Sequence, residues 1–100
     1  MESSVTLEML FKEHCTSPFP REALGDLLPD LAEIDAAITG CAESAVRPNS
    51  RLTPAQLTAL QSSRDDMVLL VQGIPPAAQP YFRRLLQMAQ LMLHRNSTSA

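Results

Sequence analysis

Apolar residues along this chain recur at helical spacing, in four stretches separated by proline-bearing breaks. In the first, Ser4 to His14, Leu7, Leu10, Phe11 and His14 fall on one helix face, while Glu8 and Lys12 pair in favourable i, i+4 order elsewhere. Pro18 and Pro20 end that stretch. A second follows with Leu24, Leu27 and Leu28 on its apolar side, until Pro29 predicts a kink or a break. Asp30 with Glu33 would cap a restarted helix carrying Leu31, Ile34, Ile38, Cys41, Ala42 and Ala45, weakened near its end by Gly40. Arg47-Pro48-Asn49-Ser50 reads as a loop.

The third stretch has the clearest start. Thr53 is an N-cap, Pro54 the first helical residue, Gln56 the other half of a capping box, and Leu52 with Leu57 a hydrophobic staple. Leu57, Leu60, Met67, Val68 and Val71 continue its face, Arg64 interrupts it, and Gly73 is the expected C-cap before Ile74-Pro75-Pro76. The fourth begins between Pro76 and Pro80 and runs to about Arg95. Its apolar set is wide: Tyr81, Phe82, Leu85, Leu86, Met88, Ala89, Leu91, Met92 and Leu93, well beyond the arc of an ordinary surface helix. These patterns predict an all-α chain: a compact bundle of four helices, or five if Pro29 divides the second, with a C-terminal antiparallel helical hairpin. Residues 1–95 form one domain and residues 96–100 a disordered tail.

Composition agrees. With 45% hydrophobic and 19% charged residues the chain is no disordered segment, and with four aromatics and no Trp its core must come from aliphatic side chains and Met. The net charge of −3 conceals an asymmetry: residues 1–46 carry nine acids against Lys12 and Arg21, while residues 47–100 carry Asp65 and Asp66 against six arginines. Such halves can attract within one molecule or between two copies. The acidic total argues against non-specific nucleic-acid binding. No run is apolar enough to span a bilayer, and Met-Glu-Ser-Ser is no secretory start, so a cytoplasmic protein is expected. Scarce Lys beside abundant Arg, Ala, Pro and Leu fits a GC-rich bacterial genome.

The residues suggest little chemistry. Cys15 and Cys41 read as small buried hydrophobes. His14, Cys15, Cys41 and His94 are the inventory of a zinc site without its spacing. Glu22, Asp26, Asp30 and Glu33 recur along one ridge, which reads as a solvated acidic face or a contact for a basic partner. Gly25, Gly40 and Gly73 are isolated, so no phosphate loop is present. No catalytic, cofactor or metal residues, and no small-molecule substrate, are predicted.

The leading expectation is therefore a non-enzymatic protein–protein interaction module, a small adaptor, chaperone or inhibitor, binding another protein or a second copy of itself. Its surface would be the last helix: Leu86, Met88, Leu91 and Met92 as surplus apolar side chains, with Tyr81, Arg83 and Arg84 beside them. The alternative is a helix-turn-helix DNA-binding regulator with the third helix as reader, where only Gln56 and Gln61 suit base contacts.

Overall fold

A computed structural model of the chain describes residues 6–48 and 50–97. Four α-helices build it: α1 (Leu7–Thr16), α2 (Leu28–Ala45), α3 (Pro54–Leu70) and α4 (Gln79–Ser97). Among the described residues there is no strand. Thr6 caps α1, its Oγ1 accepting from the amide of Met9 at 3.1 Å; Ser4, the expected first residue of that stretch, lies outside the described residues.

The break expected at Pro29 is present as the start of α2 at Leu28, and no kink forms within that helix. Pro29 sits in the first turn of α2, where its missing N–H belongs to the amides that no helix can satisfy internally. The residues before it wind as two 3₁₀ turns, Arg21–Ala23 and Gly25–Leu27, with Gly25 at φ +55°. The cap expected from Asp30 and Glu33 does not form: Leu27 occupies the N-cap without a side-chain bond, and Asp30 lies within the first turn, where its charge still favours the helix dipole.

The capping box of α3 forms as its sequence requires. The Gln56 amide donates to Thr53 Oγ1 at 3.1 Å and the Thr53 amide to Gln56 Oε1 at 2.9 Å. Gln56 Nε2 also donates to Ser44 Oγ at 3.2 Å, tying the start of α3 to the end of α2. The other end departs from expectation. Gly73 does not take up a left-handed C-cap; α3 tightens into a 3₁₀ turn over Val71–Gly73. The carboxamide of Gln79 then donates to the carbonyls of Val71 and Ile74, the latter at 2.8 Å, closing the link between α3 and α4 into a hairpin.

The core explains the composition of α4. Its Phe82, Leu85, Met88, Ala89 and Met92 are fully buried, packed with Leu7 from α1, Leu31 and Ile38 from α2, and Leu60 and Met67 from α3. All three other helices contact α4, so a wide apolar arc is what its position demands. The helix runs past Arg95 into the stretch expected to be tail, with Asn96 Nδ2 donating to the Met92 carbonyl at 2.9 Å; residues 98–100 lie outside the described residues.

Candidate interaction surface

One polar cluster lies inside the bundle. His14 continues the buried face of α1 at 4% exposure, and its Nε2 donates to Asp35 Oδ1 of α2 at 2.8 Å. The hydroxyl of Tyr81, from α4, donates to the same carboxylate, 3.1 and 3.2 Å from its two oxygens, and lies 3.1 Å from His14 Nε2. Thr39 Oγ1 adds a longer bond to Asp35 at 3.4 Å. Burial, the Asp35 charge and its hydrogen bond hold the Tyr81 phenol well above the ordinary tyrosine range. Phe19 and Phe82 pack edge-on against the Tyr81 ring at 5.7 and 4.9 Å. His14 Nε2 is engaged within this cluster, and its Nδ1 is buried with no partner among the described residues. The cluster clamps three helices in register.

The side chains of α4 expected to meet a partner are spent largely on this interior. Tyr81 belongs to the cluster, and Met88 and Met92 are fully buried. Arg84 retains 15% exposure, lying 5.6 Å above the Tyr81 ring and pairing with Glu13 at 3.5 Å. Leu86 and Leu91 are half-buried against the core, and only Arg83 stands out in solvent. The acidic ridge is also redistributed: Glu22 and Asp26 sit on the 3₁₀ turns, Asp30 and Glu33 on α2.

The apolar side chains left most open on α3 are Leu69, 80% exposed, and Val68, 48% exposed. Leu69 borders a cleft of about 330 Å³ between α2 and α3, floored by Ile34 and Leu70 and rimmed by Asp30, Glu33 and Asp66. A second opening between the same helices is lined by Ala36, Ala37, Gly40, Ala55 and Ala59. The two openings share one face. Along α2, residues 30, 33, 37 and 40 keep alternating three- and four-residue spacing, and along α3 residues 55, 59, 62, 66 and 69 do the same. Asp30, Glu33, Gly40, Ala55, Ala59, Ser62, Asp66 and Leu69 are all exposed. The face thus carries two openings, one lined by small residues and the other with an acidic rim beside Leu69. Sequence reasoning missed it because alanine, glycine and serine carry little hydrophobic signal; their spacing acquires meaning once the exposed arc is known.

The cysteines part company. Cys15 is exposed, against expectation, because it is one position round α1 from the inward-facing His14. Cys41 is buried, its thiol 3.7 Å from the Gln56 carbonyl and pushed up in pKa by burial. His94 is exposed on α4, and among the described residues no group of three or more His, Cys, Asp or Glu is placed to hold a metal ion. Among them too, no helix is long and apolar enough to cross a membrane. Comparison with known protein families, characterised proteins and solved structures gives no match for this chain.

Proposed function

We propose that this chain is a non-enzymatic protein-binding module of the adaptor, chaperone or inhibitor kind, and that it docks its partner on the α2–α3 face with Leu69 as the anchor. The exposure of Leu69 beside an apolar-floored cleft carries this reading. A leucine at that position adds nothing to the core of the monomer, while covering it with a partner removes a full side chain from water. The helix-turn-helix alternative draws less support: Gln56, one of its two reading residues, is committed to the capping box and to Ser44, and Arg64 is bonded to Asp65 at 2.7 Å.

Immobilised wild-type chain and its Leu69→Ser variant provide the test. A protein retained by the first is identified, purified and returned to both. Loss of one buried leucine corresponds to about 2 kcal/mol, so the variant should bind at least about tenfold more weakly with its unfolding midpoint unchanged. Equal affinity for the two chains would remove the basis of the reading.

A further inference from the structure

We infer that the partner segment is an amphipathic helix, basic at one end, lying along the groove between α2 and α3. This rests on the docking face proposed above and adds the chemistry of what fills it. Positions at alternating three- and four-residue spacing on two neighbouring helices form a face along which a third helix can lie, and here two openings interrupt that face. Ala37 and Gly40 on one wall, and Ala55 and Ala59 on the other, line an opening that the described residues leave unfilled. Large aliphatic side chains from the incoming helix supply that volume. From Ala55 to Leu69 the face extends about 21 Å at 1.5 Å per residue, so the segment needs about four turns.

The rim indicates its charge. Asp30, Glu33 and Asp66 lie at the Leu69 end, and among the described residues none of the three is in an ion pair. Arg64, on the same stretch of α3, is bonded to Asp65. An acidic helix, or one carrying only apolar side chains, would leave these carboxylates without a cation. An arginine or lysine at one end of the incoming helix meets them while its aliphatic stem covers Leu69.

The probe is a synthetic peptide of about 18 residues with leucines at three- and four-residue spacing and arginines grouped at one end, its affinity read by fluorescence anisotropy. Two controls accompany it: the same residues scrambled, and the parent peptide with glutamine for arginine. Saturable binding of the parent is expected, weakened at least about tenfold by Ala59→Lys, which plugs the opening on an exposed helical position without touching the core. Glu33→Gln with Asp66→Asn should weaken binding several-fold and flatten its dependence on salt. Equal binding of the scrambled peptide, indifference to Ala59→Lys, or no saturation at concentrations on the order of 100 μM would overturn the inference. So would a chain that dimerises and becomes monomeric with Ala59→Lys, since the occupant would then be a second copy. Leu69→Ser separates the two readings: if it weakens the peptide and Ala59→Lys does not, the docking face stands and the groove-bound helix falls.

Discussion

The Asp35 carboxylate is the acceptor on which the internal cluster depends, and replacing it with alanine should cost about 3 kcal/mol. In the intact protein it receives the His14 imidazole at 2.8 Å, the Tyr81 hydroxyl at 3.1 Å and, more weakly, Thr39. Without it the tyrosine hydroxyl can turn to His14 Nε2, 3.1 Å away, if the imidazole moves its proton to Nδ1. Nδ1 is buried without a partner, so one donor remains stranded either way. A stranded buried donor costs about 1–3 kcal/mol, and the lost charge-assisted bond a similar amount. Because Asp35 itself retains 20% exposure, its own desolvation offsets only part of this. With an m-value of about 1.5 kcal/mol per molar urea, the midpoint of unfolding followed by circular dichroism should fall by about 2 M. Tyr81→Phe alone should cost about 1.5 kcal/mol, and the double variant about 1 kcal/mol less than the sum of the singles, since each removes part of what the other strands. A loss below about 1 kcal/mol for Asp35→Ala, or strict additivity within about 0.3 kcal/mol, would mean that the cluster does not hold the three helices together.

Alkaline pH should act on the same cluster. The folded protein keeps the Tyr81 proton beyond the pH at which an unfolded chain releases it, so stability should decline as pH rises past about 10, and Tyr81→Phe should remove that part of the slope. Tyr81 is the sole tyrosine, so tyrosinate absorbance reads it directly; ionisation should accompany unfolding, and titration as a free phenol in the folded protein would contradict the buried hydroxyl. A thiol–disulfide exchange reagent should modify one cysteine rapidly, Cys15, and reach Cys41 only on unfolding. Two fast thiols, or a fast phase surviving Cys15→Ser, would show that the α2–α3 interface is open at Cys41.

What could be read from the sequence was local. Thr53, Pro54 and Gln56 satisfy each other within one turn, so the start of α3 needs no tertiary information. Pro29 is ambiguous for a tertiary reason. It breaks a helix that precedes it and begins one that does not, and whether residues 21–27 wind as α or 3₁₀ depends on the packing of Leu24, which is buried. The breadth of the apolar arc on α4 was visible, but its meaning depends on how many neighbours the helix has. Three helices surround it, so the arc is core. Asp35 escaped notice although it sits among Leu31, Ile34 and Ile38 on the buried edge of α2. A carboxylate in that company requires partners, and these lie 21 and 46 residues away in sequence.

The opposed charges of the two halves bear on the proposed docking face. Part of the attraction is met within the molecule, where Arg84 and Arg95 of α4 pair with Glu13 and Glu8 of α1 at 3.5 and 3.9 Å. The Arg95–Glu8 pair is exposed on both sides and adds little stability, but together the two pairs determine which charges are left over. The arginines nearest α1 are taken up, and α4 is enclosed on its apolar side. Among the described residues Asp30, Glu33 and Asp66 enter no ion pair, and they gather where the chain also exposes Leu69. Within the chain Leu69 covers no core, and the exposed carboxylates beside it are met by water and, for Asp30, by the start of α2. A helix bearing both aliphatic and cationic side chains would satisfy the two together, and this coincidence is what the proposed docking on the α2–α3 face rests on.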